Sequence, residues 1–164
     1  MSFASKKGSQ PIDIIFSVIG MFTFIVMVII GYVFLTGIQD TGLFEEDTAG
    51  GDIYHERADS YPRMWDYAFL FLLIGLWVAL IFSSFLLDTL PGFFVIALLV
   101  NIAFLFTIPY LANTFLGLTT MGALEEATES FPFMVFFMQN TLIIVILQVF
   151  STLIALYAKT RMPL

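Results

Sequence analysis

The chain has 164 residues, of which 60% are hydrophobic and only 12% are charged, and it contains no cysteine. A soluble domain has roughly 25% charged residues, so this excess of apolar side chains predicts a protein that lies in lipid. The net charge of −7 excludes a nucleic-acid-binding protein that depends on a basic surface. The lack of cysteine excludes disulfides, thiolate zinc sites and cysteine nucleophiles.

The first long apolar segment predicts a transmembrane helix over about residues 12–37. Lys6 and Lys7 precede it, as in a signal peptide, but the uncharged run 14–39 is longer than the apolar core of a signal peptide. We therefore expect a span that is retained in the protein. Asp13 is expected in its first turn, where a carboxylate meets the positive end of the helix dipole at the level of the lipid headgroups.

Residues 38–65 are the one hydrophilic stretch of any length, and we predict that they form a loop. Glycines and Pro62 interrupt them, and no helical or strand period continues for long. Most of the acidic residues of the chain lie in or next to this stretch: Asp40, Glu45, Glu46, Asp47, Asp52, Glu56, Asp59 and Asp66.

Two uncharged segments on either side of the short turn 88–92 predict spans two and three, over about residues 66–87 and 92–112. At 1.5 Å of rise per residue, each is long enough to cross the ~30 Å hydrocarbon core of a bilayer. The short turn predicts a helical hairpin. Asp88 or Thr89 is the predicted cap of span three.

Small residues recur at intervals of four along span two, at Gly75, Ala79 and Ser83. Small side chains let helices approach each other closely in lipid, so this stripe predicts a helix-contact seam. The face of span three that carries Ala97 and Asn101 is expected to meet it.

Residues 113–131 are predicted to form a second loop, with room for a short interfacial helix. Residues 132–158 are predicted to form the fourth span. Ser130 precedes Phe131 and Pro132 and is the predicted N-cap of that span, because proline is favoured in the first turn of a helix.

The predicted spans contain four side-chain amides, namely Asn101, Gln139, Asn140 and Gln148. No charged residue lies deep in a predicted span, so a proton-coupled transporter has no obvious carrier. We expect these amides to connect helices by hydrogen bonds. A substrate site is the alternative.

His55 is the single histidine, and it lies among acidic residues. A zinc site needs three or four ligands in fixed geometry, and neither a second histidine nor a cysteine is present to supply them. A weak calcium contact through nearby carboxylates is an alternative, but the spacing of a calcium-binding loop is missing. The sequence also lacks the common nucleophile and phosphate-binding motifs. We therefore predict no metal, no cofactor and no enzymatic activity.

These patterns together predict an all-α, polytopic integral membrane protein with four transmembrane helices in a single domain, residues 1–164. An even number of spans places both termini on the same side, together with the turn 88–92. That side carries Lys6, Lys7, Lys159 and Arg161, whereas the opposite side carries Arg57 and Arg63. Basic residues favour the cytoplasmic side, so the termini are predicted to be cytoplasmic.

The chain has an apolar pattern from Trp77 to Pro109, then an acidic loop, then a last span that begins at 131–134 and ends at 156–159. This arrangement resembles a known class of proteins. It is similar to the small membrane proteins of tailless icosahedral phages and related viruses, which enclose a bilayer beneath the capsid. The resemblance implies a scaffold that fills the membrane, forms oligomers and offers polar loops to a protein lattice.

The predicted function is therefore that of a structural membrane protein of a virion, whose partners are lipids and the proteins of a capsid or vertex. The expected docking residues are Glu45, Glu46, Asp47 and Asp52, which would face basic groups on the partner. An accessory subunit of a large cellular membrane complex is an alternative with the same sequence features. A holin or channel and a small transporter are further alternatives, although an inverted repeat typical of transporters is not evident.

Overall fold

The computed structural model describes residues 10–41, 49–86 and 91–161. They form helices α1 (Gln10–Asp40), α2 (Ala49–Leu86), α3 (Pro91–Thr119), α4 (Ala123–Glu129) and α5 (Pro132–Arg161). All of these except α4 are long and apolar enough to cross a membrane. The prediction of an all-helical protein with four helices long and apolar enough to span a membrane is confirmed, and the described ranges contain no β-strand.

Helix α5 is the central helix of the bundle. It packs along both α2 and α3, while α1 packs on α2 and less extensively on α3. Among the described residues, α2 and α3 do not contact each other, so the predicted packing of span two on span three is wrong. A short connection keeps the ends of two helices close, but it does not determine which faces they bury.

Hydrogen bonds define the register of α1 on α2. The Tyr61 hydroxyl donates to the carbonyl of Val28 at 3.4 Å, and the Tyr54 hydroxyl donates to the carbonyl of Leu35 at 2.7 Å. As the residue number falls along α2 it rises along α1, so the two helices are antiparallel. The second half of α1 therefore lies beside the polar first half of α2.

The polar first half of α2 is a helix, which overturns the predicted loop for residues 49–65; residues 42–48 of the predicted loop 38–65 lie outside the described residues. Helix α2 begins at Ala49 and continues through Pro62. Inward-facing side chains recur every three or four residues, as expected for an amphipathic helix; they are those of Tyr54, Ala58, Tyr61 and Trp65. The glycines and the proline obscure this period, because each of them alone favours a turn.

The predicted second loop, residues 113–131, is also largely helical. Helix α3 continues to Thr119, and a turn at Gly122, whose φ of 51° suits glycine, leads into α4. Phe131 is buried after α4 and meets the ring of Tyr32 edge-on at 5.5 Å. The short helix is thereby held against the second half of α1.

Asp66 of α2 caps the first turn of α5. Its carboxylate accepts hydrogen bonds from the backbone N–H groups of Phe133 and Met134, each at 2.9 Å. The side chain is only 3% exposed, so these bonds are shielded from water. The prediction that Ser130 caps this helix is wrong, because Ser130 is the C-cap of α4.

An aromatic cluster joins the four long helices at one level of the bundle. Phe22 of α1 stacks on Phe115 of α3 with ring centroids 4.3 Å apart. Phe137 of α5 lies 5.5 Å from Phe22 and 5.3 Å from Phe69 of α2. Such aromatic pairs add stability beyond the area that they bury, so this cluster aligns the helices with one another.

We predict that Asp66→Ala destabilises the folded protein, because the two amides of α5 lose their acceptor in a buried position. The expected loss of unfolding free energy is ~2 kcal/mol or more. It is measured by thermal or denaturant unfolding in lipid or detergent. Asp59→Ala is the matched control, since Asp59 lies on the same helix but is exposed. Equal midpoints for the two variants would contradict the capping role.

We also predict opposite effects for two Gly→Ala substitutions in α1. A methyl group at Gly31 would lie 2.7 Å from the Tyr61 hydroxyl oxygen, whereas one at Gly37 meets no atom within 4 Å. Gly37→Ala should therefore gain up to about 1 kcal/mol of helix stability, and Gly31→Ala should not.

Tyr61→Phe removes the oxygen that the new methyl group would meet. In the Tyr61→Phe background, Gly31→Ala should therefore recover the gain seen at Gly37. Unfolding midpoints of the single and double variants provide the measurement. A Gly31→Ala variant as stable as Gly37→Ala in the presence of Tyr61 would refute the close approach.

Candidate functional site

One part of the bundle, which we call the apolar belt, has a single charged residue and consists of residues 10–27 of α1, 67–86 of α2, 91–119 of α3 and 132–158 of α5. Asp13 is its one ionisable acidic or basic residue. Helices α2 and α5 run in the same direction, because Tyr67 lies beside Phe133 and Phe69 beside Phe137. The 27 residues from Pro132 to Ala158 extend about 40 Å, which is enough to cross the hydrocarbon core of a bilayer.

A second part of the protein extends beyond the belt, and we call it the projecting module: residues 28–40 of α1, residues 49–65 of α2, and α4. The hydrogen bonds from Tyr54 and Tyr61 join its two long segments. The side chains of Gln39 and His55 form a further contact between them. The second half of α1 thus lies beside charged residues of α2, although its own sequence is apolar.

The surface of the projecting module is acidic, with some exposed apolar side chains. Its described residues include two exposed arginines, Arg57 and Arg63, and seven exposed carboxylates. The carboxylates are those of Asp40, Asp52, Glu56, Asp59, Glu125, Glu126 and Glu129. Phe34 is 69% exposed, Met64 58% and Ile53 56%. Large apolar side chains beside charges are typical of surfaces that bind another protein.

Of the predicted docking residues, the structure places Asp52 on this surface, in the first turn of α2. Glu45, Glu46 and Asp47 lie outside the described residues. In the part of the chain that the structure describes, no three histidine or acidic side chains are grouped as they would be around a metal ion.

A cavity of about 490 Å³ lies where the projecting module meets the apolar belt. One side is lined by Asp66, by Arg63 one turn before it and by Asp59 two turns before it. Tyr67 and Phe133 line the other side. Charged and aromatic side chains occur together in this way at the depth of lipid headgroups in membrane proteins.

The predicted seam of small residues does not pack against α3. Gly75 and Ala79 are exposed, and Ser83 is half-buried. Ala79 and Ser83 line a groove of about 550 Å³ between α1 and α2. The seam therefore faces outward from the bundle, and its contact with another chain stays a prediction.

The four amides of the predicted spans divide into two pairs. Asn101 and Gln148 are buried in the bundle, whereas Gln139 is exposed. Asn140 donates from its side chain to the carbonyl of Phe136 in its own helix, at 2.9 Å. Within the described residues, Gln139 and Asn140 thus make no hydrogen bond between helices, because both lie on the outer face of α5.

Buried polar side chains form a layer deep in the apolar belt: Ser84 of α2, Asn101 of α3, and Gln148 and Thr152 of α5. These residues lie at a similar distance from the aromatic cluster along their helices. This follows because α2 and α5 run in the same direction and α3 runs in the opposite direction. The hydroxyls of Ser84 and Thr152 bond within their own helices. The side-chain nitrogen of Gln148 is buried with no hydrogen-bond partner among the described residues.

Length, composition and packing define a class: an all-helical protein whose four long helices suit a polytopic membrane protein. Comparison of the chain with protein-family models, curated proteins and solved structures found no match.

Two functional features were missed by sequence reasoning, namely the helical projecting module and the cap formed by Asp66. The spacing of Tyr54, Ala58, Tyr61 and Trp65 was a usable signal for the first. For the Asp66 cap, the only signal was that Asp66 precedes one apolar segment and Pro132 begins another. Many arrangements of four helices fit that signal.

We predict that Gln148→Met raises the stability of the bundle, because it removes a buried amide nitrogen that has no acceptor. An unsatisfied buried polar group costs about 1–3 kcal/mol, and methionine keeps the length of the side chain. Gln139→Met, on the exposed face of the same helix, is the control and should have little effect. Unfolding midpoints in lipid or detergent test this. A lower midpoint for Gln148→Met would show that the amide has a partner.

Proposed function

We propose that this chain is a non-enzymatic structural protein of a membrane. The apolar belt anchors it in lipid, and the projecting module binds a protein partner outside the hydrocarbon core. The observation that carries the proposal is the acidic surface of the projecting module, with its exposed apolar side chains, held rigidly on helices that continue into the belt.

The chemistry of that surface indicates the chemistry of the partner. Carboxylates at Asp52, Glu56 and Asp59 favour a surface rich in lysine or arginine, which would increase the rate and specificity of binding. The exposed side chain of Ile53 offers apolar contact next to these charges. Apolar contacts surrounded by polar groups are the usual composition of a protein interface.

The assembly that best fits this proposal, together with the sequence resemblance, is a virion with an internal membrane and a protein shell above it. In that setting the chain forms oligomers within the bilayer and faces the capsid or a vertex complex with its acidic side. Cytoplasmic termini at the time of insertion are part of the same proposal, on the basis of Lys6, Lys7, Lys159 and Arg161. The alternative is an accessory subunit of a large cellular membrane complex.

The first experiment purifies the untagged native assembly and identifies the proteins that accompany this chain. Capsid or vertex proteins would support the virion proposal, and subunits of a cellular complex would support the alternative. Recovery of the chain in lipid without any stable protein companion would overturn the structural role itself.

We predict that neutralising the acidic face of α2 weakens retention in that assembly. The variant Asp52→Asn, Glu56→Gln, Asp59→Asn should reduce the amount of chain bound per partner by about tenfold, since it removes three charges from the proposed interface. The variant Glu125→Gln, Glu126→Gln, Glu129→Gln on α4 removes the same charge elsewhere on the module and should have a smaller effect. Wild-type retention of both variants would contradict docking through this module.

A further inference from the structure

The cavity between the projecting module and the apolar belt has the size of a small-molecule site. Its volume of about 490 Å³ falls within the range of ligand pockets, roughly 300–1,000 Å³. Three segments that are distant in the sequence form its walls: Tyr32 on α1, residues 59–67 on α2, and residues 130–133 at the start of α5. A ligand in the cavity would therefore contact three helices at once.

Three charged side chains line the cavity, and one of them is already neutralised. The Asp66 carboxylate accepts the backbone N–H groups of Phe133 and Met134, so the positive end of α5 balances its charge. Asp59 and Arg63 are exposed, and within the described residues neither forms a hydrogen bond or an ion pair. Since they are four residues apart on α2, their α-carbons are separated by roughly 6 Å along the helix axis. The cavity thus presents one free negative charge and one free positive charge.

Aromatic rings form much of the remaining wall. The rings of Tyr67 and Phe133 lie 5.5 Å apart and are tilted by 55°, and Tyr32 lines the same cavity. The face of an aromatic ring attracts a cation that lies within about 6 Å of its centre. Together with the carboxylate of Asp59, these rings favour a ligand that carries an ammonium group.

The apolar surface that continues from the cavity suits acyl chains. Phe71 is exposed one turn after Tyr67 on α2, and Phe136 is exposed about one turn after Phe133 on α5. Because α2 and α5 run in the same direction, both of these side chains lie on the belt side of the cavity. A ligand with apolar chains can therefore place its polar end in the cavity and its chains along these two helices.

The two free charges decide among the possible ligands. An anionic headgroup would pair with Arg63 but would lie beside Asp59, which repels it. A lysine side chain of a protein partner would pair with Asp59 but would lie beside Arg63. A metal cation would need more oxygen ligands than are grouped here, since in the described part of the chain no three histidine or acidic side chains are placed to hold one. A ligand with both a phosphate and an ammonium group satisfies both charges.

From these observations we infer that the cavity binds the headgroup of a zwitterionic phospholipid. The phosphate accepts hydrogen bonds from the guanidinium of Arg63. The ammonium group pairs with the carboxylate of Asp59 and lies against the rings of Tyr67 and Phe133. This inference rests on the proposed function, since a lipid ligand requires a protein that lies in a membrane.

The test measures lipid binding to the full-length protein in an uncharged maltoside detergent by native mass spectrometry. The probes are phosphatidylethanolamine and phosphatidylglycerol with identical acyl chains, of which only the first carries an ammonium group. The wild type should bind phosphatidylethanolamine about tenfold more tightly, which is the effect of one charge-assisted hydrogen bond. Equal binding of the two lipids, or tighter binding of phosphatidylglycerol, would overturn the inference.

Asp59→Asn should reduce this preference to near unity, because it removes the charge that pairs with the ammonium group. Arg63→Gln should weaken the binding of both lipids about tenfold, because both contain the phosphate. Glu56→Gln and Arg57→Gln are the matched controls, since they remove the same charges from the same helix outside the cavity, and they should bind as the wild type does.

Asp59 and Arg63 are exposed, so their variants should keep the wild-type unfolding midpoint, and a change in binding then reports on the site. An unchanged preference in Asp59→Asn would overturn the inference. So would a loss of preference that is as large in Glu56→Gln as in Asp59→Asn, because it would identify a general effect of surface charge.

Glycerophosphoethanolamine carries the same headgroup without acyl chains, and it identifies the source of the ligand. It should displace the lipid only at a large excess, because the acyl chains add apolar contact along α2 and α5. Displacement at equal concentration would show that the ligand is a water-soluble phosphodiester and would overturn the assignment to a lipid.

The lipid site and the proposed function fail separately. Arg63→Gln should lose lipid binding but keep wild-type retention in the native assembly. Asp52→Asn with Glu56→Gln, which leaves Asp59 in place, should weaken retention but keep the lipid preference. Equal binding of the two lipids by a protein that is retained normally would remove the lipid site and leave the proposed function standing, and the reverse result would remove only that function.

Discussion

The structure depends on one carboxylate that connects two helices far apart in the sequence. Asp66 accepts hydrogen bonds from the backbone amides of Phe133 and Met134, which have no partner within the first turn of their own helix, and its burial shields these bonds from water. Because Asp66 lies in the interior of α2, this bond sets the height of α5 relative to α2. Phe69 then meets Phe137, and α3 and α1 join the same aromatic cluster.

Hydropathy was sufficient to predict the number of long helices, because a run of about twenty uncharged residues is a strong and local signal. It was not sufficient to predict the packing. The contact between Asp66 and Met134 joins residues that no local pattern relates, and the position of α5 between α2 and α3 follows from such contacts. The predicted packing of the seam at Gly75, Ala79 and Ser83 on span three was wrong for this reason.

The candidate sites show a similar division. Asp52 could be predicted to be exposed from charge alone, and the structure places it on the acidic surface. The register of α1 on α2 could not be predicted, because the hydrogen bonds from Tyr54 and Tyr61 that define it join residues far apart in the sequence. The sequence identified Asn101 and Gln148 as polar residues in the predicted spans. It could not predict that they lie in the same layer of the bundle, because that depends on how α3 and α5 are packed.

The continuity of α2 across the boundary has a mechanical consequence. A helix of 38 residues is a rod of about 57 Å, so a sideways force on its polar first half, and on the part of α1 bonded to it, acts with leverage on its apolar second half. Pro62 lacks a backbone donor and weakens the rod one turn above Asp66. Bending would therefore concentrate at Pro62. A load on the projecting module would tilt the module at this proline before it displaced the apolar half of α2.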